Sequence, residues 1–218
     1  MIKVTRELLR REFCRAEGGD PSYWKIEESP LSEFGVGTVY RLTCGSRREY
    51  NIVESEDILR ELALAIVIQD LENEPGIFNR EFIERHINID RLRSDLESDL
   101  NESNLNYARE ISDRRFRQEA EQWSLDIKDK DGNERDITPA DYEALAEAIT
   151  ESQMKDPMNY LDEICGNDAA GKAIEIAGIN VKAAAEDAVD TDGPEHFVCR
   201  YDGNSHTTSP SGFCYWRE

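Results

Sequence analysis

The strongest structural signal in the sequence is a capped amphipathic helix at residues 55–71. Ser55 can accept a hydrogen bond from the first turn, and Glu56 and Asp57 place negative charge at the positive end of the helix. The apolar residues that follow keep the helical period, at Leu59, Leu62, Ala63, Ile66 and Leu71. Glu74-Pro75-Gly76 then ends the pattern, so we predict one long helix here.

Capping and helix-ending residues also predict helices before and after residues 55–71. Asn79 can cap a second helix, and Thr138-Pro139 opens a third, with Asp141 three residues after the cap. Helical patterns also occupy residues 4–17, 157–165, 168–177 and 179–189, with glycines at several of their ends. The lone histidine among these helices, His86, is interpreted as a packing residue.

Strand patterns are few and lie near the two ends. Residues 38–43 and 49–53 are rich in β-branched and aromatic side chains and are joined through Gly45, which predicts a β-hairpin. Residues 192–203 are expected to form a turn and a short helix, and residues 212–216, GFCYW, a strand. The predicted fold class is therefore α+β, mostly helical, with a small N-terminal β-hairpin and a short C-terminal strand.

The middle of the chain differs from both flanks. Residues 90–137 are polar, with a narrow stripe of Leu92, Leu96 and Leu100, and predict a polar helical arm followed by a small hairpin at Asp131-Gly132. A calcium loop is rejected there because Glu134 stands where the loop needs glycine. We therefore expect three parts, 1–89, 90–137 and a compact 138–218, the first and last being able to form one domain.

Charge excludes several classes of partner. The 218 residues contain 47 Asp and Glu against 26 Lys and Arg, for a formal charge of −21. Residues 1–50 are nearly neutral, with nine basic and eight acidic groups, so the excess acid belongs to residues 51–218. Phosphate binding depends on Lys and Arg, so direct binding of nucleic acid is not expected. No apolar run is long enough to suggest a membrane span.

Five cysteines, odd in number and without a C-x-x-C pair, favour reduced thiols in a cytoplasmic protein. Two of them fall close to two histidines near the C-terminus, so we consider a metal site of His196, Cys199, His206 and Cys214. The number of ligands suits zinc, although the spacing matches no standard scheme. The aromatic residues around these four favour a core interpretation, and no metal or other cofactor is expected.

Motifs for catalysis are missing from the sequence. It contains no Walker A loop, no dinucleotide-binding glycine motif, no H-E-x-x-H and no G-x-S-x-G. Carboxylate pairs mean little in so acidic a chain, because acid–base catalysis also needs burial and a shifted pKa. We therefore expect a protein that is not an enzyme.

Two segments resemble small acidic proteins encoded by tailed bacteriophages. Residues 48–87 carry a strand, an acidic helix and a Phe78-Asn79 break, and residues 183–204 carry Asp192-Gly193, His196-Phe197 and Tyr201-Asp202-Gly203. The resemblance covers about 60 residues. It implies a phage setting, with action in the host cytoplasm, and no particular activity.

A phage setting and an acidic body together suggest a DNA mimic. Carboxylates along helices can imitate phosphates and occupy the basic groove of a host restriction enzyme, nuclease or CRISPR effector. The candidate partner-binding residues are Asp95, Glu97, Asp99 and Glu102 in the polar arm, and Asp141, Glu143, Glu147 and Glu151 on the following helix. The alternative is a phage accessory or assembly protein whose charge serves only solubility. A homodimer is compatible with either hypothesis.

Overall fold

The computed structural model describes residues 4–45, 48–129, 131–199, 201–208 and 211–218. Most of these residues are helical. The α-helices are α1 (Arg6–Glu17), α2 (Glu56–Asn73), α3 (Arg80–His86), α4 (Ile89–Glu110), α5 (Asp113–Gln122), α6 (Pro139–Gln153), α7 (Pro157–Cys165), α8 (Ala169–Ala177), α9 (Val181–Asp192) and α10 (Pro194–Val198). The strands are β1 (Lys25–Glu28), β2 (Tyr40–Cys44), β3 (Arg48–Val53), β4 (His206–Thr207) and β5 (Cys214–Arg217).

The strands form one antiparallel sheet in the order β1-β2-β3-β5-β4. The predicted N-terminal hairpin is confirmed as β2 and β3, and the predicted C-terminal strand as β5. The sheet is larger than predicted, because β1 adds to β2 and β5 pairs with β3, with Ile52 opposite Tyr215. β1 escaped prediction because its four residues, KIEE, show no clear alternation of apolar and polar side chains.

The chain divides into two compact units. Unit 1 combines residues 1–75 with 180–218, and unit 2 consists of residues 76–179. The boundaries therefore fall after Pro75 and Ile179 rather than at residues 89 and 137 as expected from the sequence. The difference arises because β5 completes the N-terminal sheet, while the helices of the supposed arm pack within unit 2.

Unit 1 contains an aromatic core between α1 and the sheet. Phe13 is fully buried, and its ring lies 4.9 Å from Trp24, 5.0 Å from Tyr50 and 5.2 Å from Tyr215, measured between centroids. Leu9, Leu42 and other buried side chains complete this cluster. The rings meet edge-on or tilted, which are favourable aromatic geometries.

A second helical layer in unit 1 consists of α2, α9 and α10. α2 packs against both of the other helices, through the apolar stripe that the sequence predicted. Ser55 caps α2 by accepting a hydrogen bond from the Ile58 amide, which confirms the predicted helix start. An ion pair of 2.6 Å between Arg60 and Asp190 joins α2 to α9.

Unit 2 is built on the packing of α4 against α6. One hydrophobic cluster of the unit contains Ala108 from α4, Phe116 and Ala120 from α5, and Leu145 from α6. Residues 90–137 are thus a folded part of unit 2 and not an arm, since their narrow apolar stripe is matched by α6. An isolated bridge pairs Ile87, just after α3, with Ile179, the last residue of unit 2.

Two smaller predictions can be compared with unit 2. The interpretation of His86 as a packing residue agrees with a centroid distance of 4.7 Å between its ring and that of Phe82. The expected hairpin is present as a bridge between Lys128 and Glu134, with Gly132 at a φ of 83°. Lys130, inside this turn, lies outside the described residues.

Across the described residues, no helix is both long and apolar enough to cross a lipid bilayer.

One residue in unit 2 has an unfavourable backbone. Ser124 has a φ of 58°, which is the left-handed region, at the point where α5 ends and the Leu125 amide bonds to the Ala120 carbonyl. A side chain raises the energy of this conformation, whereas glycine adopts it freely. We therefore expect Ser124→Gly to raise the free energy of unfolding, by up to about 1 kcal/mol after the entropic cost of glycine. Urea unfolding would measure this, with Ser103→Gly, inside α4, as a control that should lower stability.

Candidate functional site

A broad groove separates the exposed edges of α4 and α6 in unit 2. Its volume is about 920 Å³. We call it the α4/α6 groove, and define it by Ser94, Glu97, Ser98, Asn101 and Leu105 of α4 and by Glu143, Ala146, Glu147, Thr150 and Glu151 of α6. The α4 wall is mostly short polar side chains, whereas three of the five residues of the α6 wall are glutamates.

Four of the eight predicted partner-binding residues line this groove. Glu97 comes from α4, and Glu143, Glu147 and Glu151 follow one another at intervals of four along α6. All four are exposed, and none forms an ion pair with another described residue. With a rise of about 1.5 Å per residue, the three carboxylates of α6 follow each other at steps of about 6 Å. The groove therefore has negative charge on both walls and no basic side chain in its lining.

A buried polar contact fixes the two walls of the groove. The Asn104 side-chain amide donates to Thr150 Oγ1 and to Gln153 Oε1, at 2.9 Å in each case. Asn104 and Thr150 are almost fully buried, at 9% and 2% exposed. Because an unmet polar group at such a site would be costly, this contact holds α4 and α6 in one register. The backbone positions of the four glutamates are thereby set by the core.

Three further predicted residues lie on α4 outside the groove lining. Asp95, Asp99 and Glu102 are exposed. Asp95 lies 3.6 Å from the Nε atom of Arg91, one helical turn earlier. These carboxylates add to the negative surface of α4, but the structure does not bring them into the groove.

The eighth predicted residue, Asp141, is held within its own unit. Its carboxylate accepts two hydrogen bonds of 2.6 Å from Arg135, and it also accepts from the Thr138 backbone amide and hydroxyl at 2.7 Å. These are the contacts of a capping box, as the Thr138-Pro139 start predicted. The Arg135 guanidinium, helped by Thr138, holds the pKa of Asp141 well below its usual range. Asp141 therefore stabilises the start of α6.

This arrangement predicts an acid-sensitive contribution to stability. Since the pKa of Asp141 is lower in the folded state, its stabilising effect is complete above the unfolded value of about 3.9 and is lost as the pH falls below it. We expect Asp141→Ala to cost about 1–2 kcal/mol at pH 6 and less at pH 3. Urea unfolding at both pH values would test this, with Asp99→Asn on α4 as the control. An equal cost at the two pH values would contradict the assignment.

The four candidate zinc ligands lie in unit 1 in unlike surroundings. Cys199 and Cys214 are buried, at 2% and 0% exposed, whereas His206 is exposed on β4. Burial, with a smaller effect of the Glu195 carboxylate, raises the pKa of Cys199 to about 12, so the thiol stays protonated near neutral pH. The His206 ring lies 5.3 Å from Tyr215, and the His196 ring 4.9 Å from Phe197. Among the described residues, no three His, Cys, Asp or Glu side chains are grouped to hold a metal ion.

Comparison with known proteins gives no relative for this chain. No protein family, no curated protein and no solved structure matches it.

The sequence did not single out the residues between the carboxylates. Ser94, Ser98 and Asn101 follow each other at intervals of four and three, which places them on one face of α4, next to the leucine stripe. The sequence signal for the α4 wall was this spacing of small polar side chains beside the buried leucine stripe. The partner helix, α6, could not be identified without the fold.

Proposed function

We propose that the α4/α6 groove binds the cationic nucleic-acid-binding surface of a host defence protein and blocks it, in the manner of a phage DNA mimic. The observation that carries this proposal is the convergence of four exposed, unpaired carboxylates on one groove. The target would be a restriction enzyme, a nuclease or a CRISPR effector, because such proteins hold arginine and lysine in grooves shaped for phosphates.

The distribution of ion pairs in unit 2 supports a ligand role for these carboxylates. Elsewhere in the unit, Arg80 pairs with Glu84, Asp156 and Asp162, and other arginines also lie beside acids. The α4/α6 groove has no such internal counter-charge among the described residues. A groove with unpaired charge on both walls attracts cations more strongly than a surface of mixed sign.

The charge spacing limits how much of a duplex the groove can imitate. Duplex DNA carries one charge per about 1.7 Å of its axis, whereas α6 offers one carboxylate per about 6 Å. Glu97 on the opposite wall raises the charge density of the groove, which still stays below that of duplex DNA. The groove thus corresponds to a few phosphates, and Asp95, Asp99 and Glu102 would extend the negative surface along α4. Binding through exposed charges should weaken with added salt.

Capture from host lysate on the immobilised protein tests this function. At about 50 mM salt, we expect recovery of a nucleic-acid-acting protein that is released both by about 500 mM salt and by a short competing DNA duplex. Release by the duplex is the decisive result, because it shows that the captured protein uses the same surface for both ligands. Recovery of virion proteins, or capture that the duplex does not disturb, would overturn the proposal in favour of an assembly role.

A further inference from the structure

A second cavity in unit 2 lies where α5 passes into the turn around Gly132. Its volume is about 430 Å³, within the range of small-molecule sites. We call it the α5 cavity, and define it by Arg117, Glu121, Ser124, Leu125, Asp126, Ile127, Lys128 and Glu134. It shares no lining residue with the α4/α6 groove.

Two buried hydrogen-bond donors without an acceptor lie in or near this cavity. The Arg117 side chain donates through Nη2 to the Arg135 carbonyl at 2.8 Å, but its Nη1 is buried and has no acceptor among the described residues. The Trp123 Nε1 is likewise buried and without an acceptor. Trp123 packs in the same cluster as Leu125 and Ile127 of the cavity wall. Trp123 itself is not part of the lining, whereas Arg117 is. Buried donors are normally satisfied, so the unmet Nη1 of Arg117 indicates that an acceptor group belongs here.

The charges of the lining specify what kind of molecule would supply that acceptor. Arg117 Nε lies 3.5 Å from the Glu134 carboxylate of the same lining, so Nη1 is the part of this guanidinium left for a further acceptor. Lys128 is exposed and forms no ion pair with a described residue, so it can join Arg117 Nη1 in binding a carboxylate. Glu121 and Asp126 on the same lining would repel a simple anion but attract an ammonium group. Leu125 and Ile127 add an apolar surface. One small molecule with a carboxylate, an ammonium group and an aliphatic part satisfies all three features.

We propose that the α5 cavity binds a small zwitterion, namely a free aliphatic α-amino acid or a dipeptide. Arg117 and Lys128 contact its carboxylate, Glu121 and Asp126 its ammonium group, and Leu125 with Ile127 its side chain. The strained backbone of Ser124 lies within the lining, so occupancy should also be sensed at the end of α5.

Titration with L-leucine tests this site, with isothermal calorimetry and the backbone amide signals of residues 117–134 as readouts. Two control ligands each lack one charge: N-acetyl-L-leucine has no ammonium group, and L-leucinamide has no carboxylate. We expect saturable binding of leucine at millimolar concentration or below, and binding at least about tenfold weaker for each control. No saturation by leucine at about 20 mM, or equal binding of either control, would overturn the proposal.

Substitutions can distinguish the loss of a local binding site from the loss of folding as the cause of weaker leucine binding. Arg117→Gln also removes the contact with the Arg135 carbonyl, so it could act through stability. Lys128→Gln changes an exposed side chain and should weaken leucine binding at least about threefold with the fold intact. Lys155→Gln, an exposed lysine outside the cavity lining, is the matched control and should leave binding unchanged. Unchanged binding by the Lys128 variant would contradict the assignment.

Discussion

Replacing Glu97, Glu143, Glu147 and Glu151 together with glutamine should reduce capture of a cationic partner by about tenfold or more at 50 mM salt. Each exposed ion pair contributes less than about 1 kcal/mol, but four act together, and a tenfold loss needs only about 1.4 kcal/mol. Glutamine keeps the size of each side chain, so the α4/α6 groove should keep its shape. The loss should shrink as salt is added, because salt already screens the interaction in the parent protein.

The matched control removes the same charge elsewhere. Glu61, Glu72, Glu81 and Glu110 are exposed, lie outside the α4/α6 groove and have no ion pair with a described residue. Replacing all four with glutamine changes the net charge by the same amount as the groove variant does. If both variants lose capture to the same extent, total charge rather than the groove attracts the partner, and the proposed site is wrong. Circular dichroism and urea unfolding of both variants would confirm that the fold is retained.

The second large effect is expected in the aromatic core of unit 1. Phe13→Ala should lower the free energy of unfolding by about 3–5 kcal/mol, because the cavity left behind is lined by rings that cannot all move inward. Trp24, Tyr50 and Tyr215 lose their shared contact, and these residues come from three separate parts of the chain. Unfolding by urea would measure the loss, and hydrogen exchange of the β2 and β3 amides would locate it in unit 1.

Tyr23→Ala serves as the control for this experiment. Tyr23 belongs to the same unit and is also aromatic, but it is 73% exposed. Its replacement should change stability by no more than about 0.5 kcal/mol. A similar effect for both variants would mean that Phe13 does not have the buried position described above.

Short sequence patterns predicted the helix starts and the hairpin, because these depend on residues close together in the chain. Ser55, Asn79 and Thr138 were expected to begin helices, and each lies immediately before one. The hairpin of β2 and β3 followed from β-rich runs around Gly45. Caps and turns depend on a few neighbouring side chains, so a single sequence contains the information needed to find them.

The remaining features depend on contacts between distant residues. The sequence of β3 does not indicate that Ile52 pairs with Tyr215. Likewise, the sequence of α4 does not indicate that Asn104 reaches Thr150. The same limit applies to the candidate site. Spacing placed Glu143, Glu147 and Glu151 on one face of α6, but Glu97 could join them only once α4 was known to pack there. The spacing of Asp141 after Thr138 indicated a capping role, but its ion pair with Arg135 became known only from the fold.

The pairing of β3 with β5 has a consequence for synthesis on the ribosome. Val53 can meet Cys214 only after about 160 further residues have been made, which takes about 10–30 s at about 5–20 residues per second. All of unit 2 emerges during that interval, so it can fold while one edge of β3 still has no neighbour. An unpaired strand edge is open to wrong partners. Slow elongation through residues 76–179 should therefore increase aggregation of the nascent chain, even though the finished protein has that edge covered.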